Sequence, residues 1–109
     1  DYLSSKKFDL SSIPSSERNS LFLSFYWQAG GNAELPDEND RLTLQILDPQ
    51  GNWLNIWSKS GGDNLDRNTF VQEIIQIKPE WQHQAFQFRF FSNGRQSGPF
   101  DSWLLDYVY

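Results

Sequence analysis

The chain has no cysteine, no methionine, one histidine and no run of about eighteen apolar residues. Without cysteine there are no disulfides, no thiolate zinc sites and no cysteine nucleophile. Without methionine, the chain is expected to be a segment of something longer. Without a long apolar run, a membrane-spanning helix is excluded, and no direct membrane insertion is expected. Basic residues are also scarce: nine Lys and Arg stand against fourteen Asp and Glu, a net charge of -5. A nucleic-acid partner needs a basic stripe to neutralise phosphates, so none is expected. The same acidity disfavours an anionic membrane surface. His83, the one histidine, lies between Gln82 and Gln84 and reads as a solvated loop residue. No nucleophile elbow, phosphate loop or metalloprotease pattern is present. We therefore expect no enzyme and no obligatory cofactor.

Aromatic residues are what the chain has in excess: 17%, as nine Phe, five Trp and four Tyr. Each such ring buries about 150–250 Å², enough to build a core in a single domain spanning residues 1–109. The rings recur with period two between turn signals, which is the strand pattern. Leu21, Leu23, Phe25 and Trp27 share one face of a strand, with Phe22, Ser24, Tyr26 and Gln28 on the other. Leu42, Leu44 and Ile46 point inward from the next, with Thr43 and Gln45 outward. Asp48-Pro49-Gln50-Gly51 is a turn leading into Trp53–Ser58, because Pro presets φ and Gly accepts a positive one. Further strands are expected at Tyr2–Leu10, Phe70–Ile77, Ala85–Phe91 and Trp103–Tyr109, with short turns near Pro14–Arg18 and Pro79–His83. The fold class is all-β, an antiparallel sandwich of jelly-roll type with about seven strands. The expected inter-sheet core is Leu21, Leu23, Phe25, Leu44, Ile46, Phe86, Phe88 and Phe90.

Two groups of residues suit ligands. Trp53 and Trp57, with Asn55 between them, fall on one face of a regular strand. With Tyr26 and Trp103 they are the aromatics best placed beside polar neighbours to stack on a sugar, although filling the core is a competing use for the same rings. Glu34, Asp37, Glu38 and Asp40 lie in one acidic loop. Calcium takes six to eight oxygen ligands, so this loop is the metal candidate, against the plainer reading of a solvated loop; its spacing matches no EF-hand. Asp106, between Leu105 and Tyr107 in an apolar strand, is expected to be structural, held by donors of an adjacent loop.

The order of segments carries a resemblance. FQFRFFSNGRQSGPFDSWLLDYV, from Phe86 to Val108, resembles the last hairpin of MAM-like jelly rolls. It is closer still to jelly-roll domains in surface and gliding-motility-associated proteins of Bacteroidota, many exported by type IX secretion. YLSSKKFDLSSI from Tyr2 and SLFLSFYWQAGGNAELPDENDRLTLQILDPQGNWLNIWS from Ser20 follow the same order. Such domains usually begin before the first strand matched here, so the expectation is either that this copy lacks an N-terminal strand or that the strand lies outside this chain. The resemblance also implies a secreted or surface-attached, non-catalytic module for adhesion, assembly or spacing, with other domains or surface proteins as partners. A carbohydrate-binding module using exposed aromatics, with a structural calcium, is the alternative expectation.

Overall fold

The computed structural model describes residues 2–29, 41–60, 70–93 and 103–106. The alternating segments form strands β1 (Tyr2–Ser4), β2 (Phe22–Ala29), β3 (Arg41–Leu47), β4 (Trp53–Ser60), β5 (Val71–Gln76), β6 (Phe88–Asn93) and β7 (Trp103–Asp106). Every pairing between them is antiparallel. One sheet has the order β1-β6-β3-β4 and the other β5-β2-β7. Short 3-10 turns at Ser15–Ser20 and Pro79–Trp81 fall where Pro14 and Pro79 preset the backbone. No helix among the described residues is long and apolar enough to cross a membrane.

The core lies where the inner faces of β2 and β3 meet. Leu23, Phe25 and Trp27 come from β2, and Leu42, Leu44 and Ile46 from β3. Ile77, Phe86 and Phe90 complete the buried apolar set among the described residues. Phe25 joins the two sheets: its ring stands edge-on to Phe90 at 4.9 Å and to Trp57 at 5.0 Å. Such pairs contribute about 0.5–1.5 kcal/mol beyond the area they bury. Leu21 and Phe88, expected in the core, are only half-buried and pack at its rim. Phe88 lies parallel to Phe8 there, 6.2 Å away.

The expected turn forms as read. Gly51 has φ of 86° and donates its N–H to the Asp48 carbonyl. The Asp48 carboxylate accepts from the N–H groups of Gln50 (3.0 Å) and Asn52 (2.8 Å), which locks the hairpin.

Four local expectations are refined or corrected. The stretch Tyr2–Leu10 is not one strand, because regular pairing stops at Ser4 and resumes at a bridge between Phe8 and Phe86. At the break the Ser5 hydroxyl accepts the Phe88 N–H, 3.0 Å away. The bridge occupies the segment before Phe88, so β6 runs Phe88–Asn93 and not Ala85–Phe91. Thr43 is only 2% exposed although it sits on the outer face, between Phe91 and Ser58 in register. His83 is no solvated side chain. It is half-buried, and its Nδ1 accepts the Ala85 N–H. That leaves Nε2 to carry the proton and donate to the Leu47 carbonyl at 2.8 Å.

Candidate functional site on the outer face of the four-stranded sheet

Strand register assembles the site. Ser4, Arg89, Gln45 and Asn55 are paired neighbours on β1, β6, β3 and β4, one from each strand. Directly paired residues share a face, so they form one row across the sheet. The row is hydrogen-bonded in one direction. Arg89 Nε donates to Gln45 Oε1 at 2.7 Å, and Gln45 Nε2 donates to Asn55 Oδ1 at 2.6 Å. Arginine only donates, so it fixes the orientation of the Gln45 amide, which in turn orients Asn55.

Aromatic rings bracket this row. Tyr2, opposite Phe91, and Trp53, opposite Leu47, lie on the two edge strands and share the row's face. They converge on the arginine from opposite edges of the sheet. The Arg89 guanidinium carbon is 3.9 Å from the Tyr2 ring centre and 3.8 Å from that of Trp53. These are close cation–π contacts. Tyr2 is 55% exposed and Trp53 half-buried, so each residue keeps solvent-accessible surface beyond its contact with Arg89.

Trp57 does not join Trp53. A β-bulge falls between Leu44 and Gln45: Leu44 pairs with Trp57, Gln45 with Asn55, and Ile56 is the extra residue. An extra residue inverts the alternation beyond it. Trp57 therefore lies on the inner face with Leu44 and packs on Phe25, while Trp53 and Asn55 face outward. The expected shared face is corrected. A signal for this was present, since Leu54, Ile56 and Trp57 are all apolar and strict alternation cannot bury all three. All three pack against the core. Tyr2, read only as the start of the first strand, and Arg89 and Gln45, read only as polar strand positions, are the residues sequence reasoning missed.

The other candidates lie elsewhere. Tyr26 is half-buried on the outer face of the second sheet, paired with Gln72 on β5 and Asp106 on β7. Trp103, in β7, pairs with Ala29 of β2. The side chains of Trp103 and Asp106 lie outside what the structure describes, as do Glu34, Asp37, Glu38 and Asp40 altogether. Among the described residues no cluster of His, Asp or Glu is arranged to hold a metal. Comparison with protein-family models, with curated proteins and with solved structures found no match to this chain.

Proposed function

We propose that this chain is a non-catalytic accessory module of jelly-roll type that binds glycan on the outer face of its four-stranded sheet. The observation that carries this reading is the stack of Tyr2, Arg89 and Trp53 beside the hydrogen-bonded row from Arg89 to Asn55. A sugar needs two things from a protein surface: a flat apolar ring for its C–H face and oriented polar groups for its hydroxyls. Tyr2 and Trp53 offer the first, and Arg89, Gln45 and Asn55 the second. The two antiparallel sheets are compatible with a jelly roll. A place on the surface of a larger bacterial protein, neighbouring domains or surface proteins as partners, and adhesion as the outcome belong to the same proposal. The loop with Glu34, Asp37, Glu38 and Asp40 remains its calcium candidate.

A glycan array probed with this domain tests the reading, followed by calorimetry on any hit. Trp53→Ala and Tyr2→Ala are each expected to weaken binding about tenfold or more, as losing about 1.4 kcal/mol of contact requires. Tyr26→Ala, on the other sheet, is expected to leave binding unchanged. An array without hits, or full affinity in Trp53→Ala, defeats the proposal. Melting with calcium and with chelator tests the acidic loop, because an ion that binds only the folded state raises its stability.

A further inference from the structure

We infer that the ligand is an acidic glycan, with a uronate carboxylate seated on the free edge of the Arg89 guanidinium. This inference rests on the glycan-binding reading and narrows it to one chemical class. Three observations carry it. First, the row has a direction. Arg89 Nε is spent on Gln45, and no described residue hydrogen-bonds the two terminal guanidinium nitrogens. At the far end Asn55 accepts from Gln45 through Oδ1, so its Nδ2 is left as a donor. Both open ends of the row therefore donate, and the group that matches them must accept. A carboxylate is acceptor-only and meets the two terminal nitrogens of an arginine in a forked pair.

Second, the fork is already held. Tyr2 and Trp53 approach it at 3.9 and 3.8 Å, and Gln45 anchors Nε. Little side-chain freedom is left to lose when an anion binds, and the rings displace water from the guanidinium flanks, which strengthens the charge contact. A lysine has no planar fork to hold in this way.

Third, charge is segregated. The chain carries a net charge of -5. Yet the described strand positions of this face include Arg41 and Arg89 and no Asp or Glu. Two arginines do not make the basic stripe that a polyphosphate requires. They do match a chain with spaced carboxylates and apolar ring faces. Arg89 and Asn55 stand two strand spacings apart, roughly 10 Å, so the ligand is a chain crossing the strands and not a single sugar.

Calorimetry at low ionic strength, where charge contacts are least screened, tests this. The probes are polygalacturonate and alginate, each beside its carboxyl-reduced form, with polyglutamate as a non-sugar polyanion. At least one of the two uronates is expected to bind tenfold or more tightly than its reduced form. Arg89→Lys is expected to remove most of that preference. Asn55→Asp gives a second route that does not disturb the stack: the new carboxylate still accepts from Gln45 Nε2 but repels the ligand, so affinity falls while the melting temperature holds. Reduced polymers binding as tightly as the acidic ones overturns the inference and leaves the glycan reading standing. Polyglutamate binding as tightly as the uronates makes the partner an acidic peptide and overturns it too. Failure of both uronates overturns it outright, and the array then decides the broader reading separately.

Discussion

The two outward faces of this sandwich look alike by exposure and differ, among the contacts of the described residues, in how their polar atoms are connected. On the three-stranded sheet, Phe22 is 52% exposed and Ile74 60%, much like Tyr2 on the other side. There, however, each apolar side chain sits across from a polar one: Phe22 from Gln76, Ile74 from Ser24, Tyr26 from Gln72. Gln76 turns away to donate to the Asn19 carbonyl in the turn that leads into β2. Single exposed apolar residues are ordinary on a protein surface. On the four-stranded sheet the same kind of exposure surrounds an arginine whose polar contacts run on to β4. The contrast teaches that exposure does not mark a site here. Direction in a hydrogen-bond row, and rings that converge on it, do.

Both faces hang on one core, so the largest expected effect spares neither. Phe25 is fully buried between the sheets. Phe25→Ala is expected to cost roughly 3–5 kcal/mol in chemical denaturation. A cost under about 1 kcal/mol would mean that the sheets are held mainly by something other than the Phe25–Phe90–Trp57 contact. The next effect separates two residues of one strand. Trp57→Ala removes a half-buried inner ring and is expected to cost roughly 2–3 kcal/mol, below the value for a fully buried ring. Trp53→Ala removes an outward ring and one cation–π contact, at about 1 kcal/mol or less. Equal costs would show that the bulge does not divide β4 between core and surface.

That bulge also marks how far the sequence could be read. The inward faces of β2 and β3, the Asp48–Gly51 turn and the two proline-led turns were legible, because each depends on neighbours in the chain. The antiparallel two-sheet class followed from the same local signals. Trp57 was misplaced because period-two reasoning assumes an unbroken register, and one extra residue at Ile56 reverses it. The stack on Arg89 was not legible at all. It needs Tyr2, Gln45 and Trp53 brought to one arginine from three other strands, and no local pattern encodes that register. His83 was misread for a related reason: its partner, the Leu47 carbonyl, lies at the end of β3, far away in sequence. The expectations for Trp103, Asp106 and the four acidic residues from Glu34 to Asp40 rest on local sequence alone. The side chains of these residues fall outside what the structure describes, so the readings stand as expectations.

A smaller effect compares the two outer faces directly. Arg89→Ala removes two ring contacts and the bond to Gln45, which together are expected to cost about 1–2 kcal/mol at this half-exposed position. Ile74→Thr on the other sheet is expected to stay within about 0.5 kcal/mol, as for surface changes that break no network. Urea denaturation of the two variants reads the difference. If Ile74→Thr costs as much as Arg89→Ala, the row from Arg89 to Asn55 adds no stability beyond an ordinary exposed side chain, and the distinction between the faces fails.

The smallest expected effect lies off both faces and shows itself only with pH. Asp9 follows the Phe8 bridge, and its carboxylate accepts from the Ser11 N–H at 3.0 Å and the Ser11 hydroxyl at 2.5 Å. The hydroxyl bond first, then the backbone one, hold its carboxyl below the ordinary value of 3.8. A carboxylate held this way binds its proton less readily in the folded chain than in the unfolded one. Its contribution to stability is therefore present above the ordinary value and fades as pH falls through the lowered one. Melting curves of the wild type and Asp9→Asn from about pH 6 to about pH 2 separate this from a fixed structural loss. The wild type is expected to hold a small advantage at the upper end, and the gap is expected to narrow toward the lower end. A gap that stays constant across the range would place the effect of the substitution in packing or chain geometry rather than in the charge of the Asp9 carboxylate.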